Sequence, residues 1–333
     1  MNKTISRLQS GYRNGILSGL TWGIDTTLIA VALMLSPFAK NSSLLLAGTF
    51  LCCLIHILFE AIFMSSVVAF RGGFSSLRKV IPTKGALVCI AGGICGGPIA
   101  MTCYLLAIEM TGADIASTVT STYPLIGGIL ATTLLRERVS GHTWFGVLIC
   151  VFGILYTSIG DNPQPGLNVL SGILMAIVTA IGWGFEGVAC RYAVHDCNIE
   201  PKIALLLREY ACLLCYLLIM PFFIGRTGNP IELTGILMQS LPSFLLVAFA
   251  SIFGAWSMYL WYKTIGAIGA TRGLCLNVSY CIWTLLFMSF VIGQVPSINV
   301  IIGAVMAVGG IVMALWSRKF SFSPVPEKQP EEE

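Results

Sequence analysis

Two acidic residues stand in the same local setting in the two halves of this chain. Thr21-Trp22-Gly23-Ile24-Asp25 lies near the start. Gly182-Trp183-Gly184-Phe185-Glu186 follows 161 positions later, with tryptophan, glycine and acid in register. Both lie within long apolar runs, where an acid in the middle of a membrane helix costs about 2.5–3.5 kcal/mol. Such an acid needs a reason to be there. Asp25 and Glu186, on opposite sides of a pseudo-twofold, could bind an organic cation or take up a proton. Trp22 and Trp183 precede them by three residues, about one helical turn, on roughly the same face. An indole face beside a carboxylate suits an alkylammonium group by cation–π attraction. The competing roles are structural: the acids cap neighbouring helices or pair with arginine, and the tryptophans pack or anchor at an interface.

Other polar residues fall inside apolar runs. His56 and Glu60, four apart on one helix face, could form a proton relay or a satisfied structural pair. Arg208 and Glu209 are adjacent, so they do not share a face; Arg208 can snorkel to the cytoplasm while Glu209 faces a cavity. Tyr123 and Pro124 interrupt their run, and a proline frees a backbone carbonyl that must line a cavity or find a partner. Arg272, followed by Asn277 and Tyr280, favours an anionic or zwitterionic ligand if it faces that cavity. The intramembrane acids Asp25, Glu60, Glu186 and Glu209 outnumber the fixed positive charges, which favours a cation. Enzyme signatures are missing: there is no Walker A motif, and His195 and Asp196 have no nucleophile context. Neither a metal site nor a cofactor is expected.

The elements that position these residues follow from composition. Of the 333 residues, 56% are hydrophobic and only 10% charged, against about 25% charged in soluble domains. The class is polytopic membrane protein. The 12 cysteines read as small packing residues; Cys212 and Cys215 have no second pair to make a zinc site. Apolar runs near the ~20 residues that cross a bilayer cover 14–36, 44–70, 85–108, 112–135, 141–160, 168–192, 203–225, 241–264, 267–293 and 297–317. Tight turns are expected at Glu109-Met110-Thr111-Gly112 and Thr264-Ile265-Gly266. Of the 19 Lys and Arg, all but Lys40, Arg226 and the intramembrane Arg208 and Arg272 fall on the side that holds both ends. That side is then the cytoplasm. The first 13 residues form a polar cytoplasmic segment with no cleavable signal expected, and 320–333, rich in Pro and Glu, reads as a disordered tail.

A second register supports duplication. Gly112 and Gly269, Gly146 and Gly303, and Gly153 and Gly310 are each 157 apart, as are Ala113 and Ala270. Spans 1–5 (14–160) therefore correspond to spans 6–10 (161–319). Because five is odd, the second copy enters from the opposite side, an inverted-topology repeat. The expected fold is an all-α membrane protein of ten helices in two inverted five-helix repeats. The layout resembles the drug/metabolite transporter superfamily in its ten-helix, EamA-type form. The resemblance rests on the two Trp-Gly openings and the segment Tyr104 to Gly160, with its Gly112-Ala113 turn, Pro124, the loop Arg136-Glu137-Arg138-Val139-Ser140 and a Gly-rich fifth helix. In the second half Gln294 replaces the loop Glu, and Ser279 or Tyr280 stands where a proline is expected. The resemblance implies a secondary transporter of the cytoplasmic membrane, an exporter working by alternating access. Combined with the acids, it leads to a small organic or drug-like cation exchanged against protons. The partners expected are a small-molecule substrate, protons and the bilayer, with no nucleic acid, in a monomer or homodimer. The alternatives are a zwitterionic or anionic metabolite such as an amino acid, held by Arg272 and Arg208; a lipid-linked substrate flippase; and a non-transporting receptor.

Overall fold

The computed structural model describes residues 2–35, 42–70, 73–111, 116, 119–157, 169–227, 241–293 and 297–316. Among these every regular element is helical. In order they are α1 (Asn2–Met34), α2 (Ser42–Phe70), α3 (Phe74–Val80), α4 (Lys84–Ile94), α5 (Ala100–Thr111), α6 (Tyr123–Leu134), α7 (Gly141–Thr157), α8 (Val169–Arg191), α9 (Pro201–Thr227), α10 (Leu241–Ile268), α11 (Ala270–Asn277), α12 (Tyr280–Ile292) and α13 (Ile298–Leu315). The Gly112-Ala113 turn, Gln294 and the tail 320–333 lie outside the described residues.

Eight helices among the described residues are long and apolar enough to cross a membrane. The runs expected as spans four and five appear instead as shorter apolar helices, Tyr123–Leu134 and Gly141–Tyr156. Among the described residues of run four, helix at 119–120 gives way to a turn at Ser121 and Thr122, and Pro124 opens the next helix. The turn expected at Thr264-Ile265-Gly266 also moves. α10 runs on to Ile268 and stops at Gly269, whose φ of 90° is one that glycine accepts and side chains resist. Large apolar residues such as Phe290, Leu218, Leu170 and Val305 are exposed on the outer faces, and their number calls for lipid around the bundle. All 12 cysteines are free thiols.

Polar ends and kinks have local causes. Thr83 Oγ1 accepts the Ala86 N–H at 3.2 Å and caps α4, and Ser297 Oγ caps α13 through the Val300 N–H at 3.4 Å. Between α4 and α5, Pro98 lies inside a π turn, Cys95–Ile99. A proline there removes a helix donor, and the wider turn leaves the Gly96 carbonyl open to a side chain.

The packing pattern survives exchange of the halves. α1 packs on α10, and its counterpart α8 packs on α4 and α5. α2 lies against α10, and α9 against α4. α8 contacts α6, and α1 contacts α11 and α12. α2–α9 and α7–α13 each pair across the halves. The repeat glycines make the α7–α13 contact. A Cβ on Gly146 would collide with the Gly310 carbonyl and the Ala314 backbone, and one on Gly153 with the Gly303 carbonyl and the Ala307 backbone. Only glycine lets these two backbones approach so closely, as small residues do in membrane helix pairs.

Candidate functional site

The site begins with two broken helices. α6 starts after the turn at Ser121 and Thr122. α12 starts after the turn at Val278 and Ser279, 157 positions later and without a proline. The breaks meet at the centre, where the Tyr123 hydroxyl donates to Asn277 Oδ1 at 2.8 Å and Asn277 Nδ2 reaches Ser18 Oγ at 3.4 Å. Discontinuous helices at membrane depth are tolerated where they line a cavity or find partners.

Aromatic rings flank the breaks in matching pairs. Trp22 meets Tyr280 edge-on at 6.1 Å between ring centroids, and Trp183 meets Tyr123 edge-on at 5.8 Å. The Tyr104 ring also lies 5.4 Å from Trp183, tilted against it. The Trp183 indole N–H donates to the Gly96 carbonyl at 3.0 Å, the acceptor that the π turn leaves open. Gly23 and Gly184 let α1 and α8 press on the broken helices: a Cβ on Gly23 would meet Trp283, and one on Gly184 would meet the Gly127 backbone.

The polar residues form one chain across the bundle. His56 Nε2 lies 2.8 Å from Asp25 Oδ1, and His56 Nδ1 lies 3.6 Å from Glu60 Oε2. Glu60 Oε2 lies 3.7 Å from the Arg208 guanidinium. Arg208 donates from Nε to Glu186 Oε1 at 2.9 Å, and its NH1 lies 3.1 Å from Glu209 Oε2. The Tyr262 hydroxyl approaches Glu186 at 3.5 Å. All four acids are buried, whereas the His56 side chain keeps 17% of its surface exposed. Arg208 therefore does not snorkel. It is buried, and its long stem folds back to reach even the adjacent Glu209, against the expectation from helix geometry.

Two neighbouring cavities border this network. The larger, about 270 Å³, is lined by Trp22, Asp25, His56, Glu60, Tyr104, Trp183, Arg208, Tyr216 and Tyr280, with aliphatic and thiol neighbours. The smaller, about 50 Å³, holds Glu186, Tyr123, Trp261 and Asn277, and shares Trp22, Trp183, Arg208 and Tyr280 with the first. Seven of the eight expected residues thus meet here: Asp25, His56, Glu60, Trp22 and Trp183 at the larger cavity, Glu186 and Tyr123 at the smaller. Arg272 lines neither. It lies in the first turn of α11, where Glu137 accepts the Ala270 and Thr271 N–H groups at 3.0 and 3.3 Å. Glu137 and Tyr12 are its ionisable neighbours.

Sequence reasoning did not single out Tyr104, Tyr216, Tyr262 or Trp261. The register of 157 contained a usable signal, because it maps Tyr123 onto Tyr280 and Tyr104 onto Trp261. The Asp25–His56 contact carried none, since the two residues are 31 apart on different helices.

The sequence profile of the EamA-like transporter family matches residues 9–159 and again 170–316. Protein LicB of Haemophilus influenzae is 25% identical over 278 residues, covering 83% of this chain and 87% of that protein. The uncharacterized transporter YetK of Bacillus subtilis is 25% identical over 256 residues, covering 74% of this chain and 72% of its own length. A crystal structure of a protein 19% identical to this chain superposes with a TM-score of 0.69, covering 92% of this chain and 96% of the other. That likeness concerns the fold.

Proposed function

We propose a function from one premise: the chain belongs to the EamA-like transporter family and is a membrane transporter. It exchanges a small organic cation of the alkylammonium type against protons, by alternating access, and it exports the cation. The observation that carries this reading is the composition of the larger cavity. Four rings, Trp22, Trp183, Tyr104 and Tyr280, stand around a space bordered by the carboxylates of Asp25 and Glu60. Ring faces attract a cation whose water has been stripped away, by about 2 kcal/mol, and buried acids supply the counter-charge.

The anionic alternative has less support. Arg208 is the one guanidinium at the described cavities, and Glu186, Glu209 and Glu60 already surround it. Arg272 is elsewhere.

In this reading the ten runs form two inverted repeats in the cytoplasmic membrane, with both termini inside. The cavity then lies toward the outside. Ile29 and Ala30 come late in α1, Cys52 and Cys53 early in α2, and Leu105 late in the span that α4 and α5 form together. Toward the opposite, inner end α1 is tied to α10. Arg7 donates to the Gly266 carbonyl at 2.6 Å, the Thr264 hydroxyl to the Gly11 carbonyl at 3.2 Å, and Ser257 Oγ to the Ser18 carbonyl at 2.7 Å. In this reading an inward-facing state requires these α1–α10 contacts to part.

The test is internal pH in proteoliposomes of the purified protein, with organic cations, amino acids and sugar phosphates applied outside in turn. Proton movement driven by a cation and lost in Asp25→Asn is the expected result. Flux of an amino acid or phosphate without proton movement, tolerant of Asp25→Asn, would overturn the reading.

A further inference from the structure

Asp25 and Glu186 occupy matching positions, but their partners differ in one chemical respect. Glu186 is held by Arg208, which keeps its charge at any accessible pH. Asp25 is held by His56, whose charge is conditional. The imidazole is also placed to matter. Nε2 faces Asp25, Nδ1 faces Glu60, and the ring borders the larger cavity with part of its surface open to it. A Cβ on Gly254 of α10 would fall 2.9 Å from His56 Cε1 and 2.7 Å from Glu60 Oε1, so a glycine backbone supports the ring from behind.

We propose that His56 is the residue at which proton and organic cation compete, an assignment that rests on the cation-exchange reading above. In the empty cavity the imidazolium is the counter-charge of Asp25. An arriving cation takes that role. The Nε2–H bond then breaks, the electron pair stays on the nitrogen, and the proton leaves to water in the cavity. The Nδ1 proton stays on the ring, facing Glu60 at 3.6 Å, while Asp25 turns its charge to the cation. One positive charge enters and one leaves, and the net charge of the buried chain stays constant.

The surroundings explain why this exchange falls on His56. The ionisable groups nearest it are Asp25 from α1 and Glu60 from its own helix, with Arg208 and Glu209 of α9 next along the network; Cys53, Tyr104, Tyr216 and Tyr280 line the same cavity, and α10 offers glycine. Glu186 and Glu209 already contact Arg208, and Glu60 is shared between Arg208 and His56. Among the described ion pairs of this network, the two made by His56 are those that a proton can make or break, and the one to Asp25 is the shorter, at 2.8 Å against 3.6 Å to Glu60.

The experiment is calorimetric titration of the full-length protein in detergent with tetramethylammonium and tetraethylammonium chloride, in two buffers of different ionisation enthalpy. The difference in heat gives protons released per cation bound. Wild type should release about one proton per cation where His56 starts out charged, by linkage. The yield should fall as pH rises and the imidazole is already neutral. His56→Gln should still bind a cation but release almost none. Undiminished release from His56→Gln would move the proton to a carboxylate and overturn the proposal while leaving the cation reading intact. No binding of either cation to wild type, with binding of an amino acid or phosphate instead, would remove the cation reading and this proposal with it. If His56→Gln does not fold, histidine-selective ¹⁵N NMR of wild type decides. The chain has three histidines, so His142 and His195 serve as internal references. Loss of the His56 Nε2–H signal on adding the cation supports the exchange, and an unchanged imidazolium refutes it.

Discussion

The two Trp-Gly-x-acid motifs are close copies in sequence and in backbone packing, yet they sit in different electrostatic settings. Around Trp22 and Trp183 the correspondence is detailed: each ring meets a tyrosine of the opposite broken helix, and each following glycine presses on that helix. At the acids it stops. Glu186 is locked to Arg208 beside the small cavity, and Asp25 is paired with His56 beside the large one. The duplicated scaffold therefore carries one permanent ion pair and one conditional pair. In the exchange proposed above, the fixed network holds the helices together and the conditional link opens when substrate arrives.

The largest effect should come from the permanent side. Arg208→Leu leaves Glu186, Glu209 and Glu60 facing one another in a buried site, and loss of one partner from such a network costs about 3–5 kcal/mol. Thermal unfolding in detergent should show it, with partial recovery when Glu186→Gln and Glu209→Gln are added. If His56→Gln destabilises just as much, the distinction between the two pairs fails.

Next comes ligand affinity. Asp25→Asn removes the conditional counter-charge and should weaken cation binding roughly tenfold to a hundredfold, the scale of a charge-assisted contact of about 1.5–3 kcal/mol. Glu186→Gln should weaken it less, because Arg208 already offsets that acid. Titration of both variants with tetraethylammonium checks the order, and the reverse order would move the substrate to Glu186.

The rings give a smaller contrast. Trp22→Phe should lower cation affinity and leave thermal stability nearly unchanged. Trp183→Phe should also lose its hydrogen bond to the Gly96 carbonyl, a stability loss of about 1 kcal/mol. The smallest effect is expected at Arg272→Gln. Its side chain lies outside both cavities, so the cation dissociation constant should change by less than about threefold, under 0.7 kcal/mol. A large change there would favour the anionic alternative.

Much of this site was legible in the sequence, for identifiable reasons. Asp25 and Glu186 stand out because charge inside an apolar run is expensive, and the duplication made each a witness for the other. His56 and Glu60 share a face because a helix turns every 3.6 residues. From the chain alone Arg272 is the arginine expected at the site and Arg208 the one able to snorkel, although both are guanidiniums about a turn or more inside an apolar run; the cavities are lined by Arg208 and not by Arg272. What separates them is which helix end each occupies once packed: Arg208 points into the bundle, and Arg272 sits at the end of α11 that Glu137 caps. The break in the second repeat was half visible. Pro124 announced the first break, but Val278 and Ser279 break their helix without a proline.

Hydropathy, charge placement and two fixed registers in the sequence determined the membrane class, the family and the aromatic–acid motifs, because each is a local or periodic property of the chain. Tertiary structure alone decided which cation each acid keeps. Asp25 and His56, or Glu186 and Arg208, come from different helices, and their distances depend on how glycine-lined helices approach, where α6 and α12 break and how the π turn at Pro98 bends the α4–α5 span. A difference of a few ångströms in that packing, invisible in the order of residues, separates a permanent ion pair from one that a proton can open.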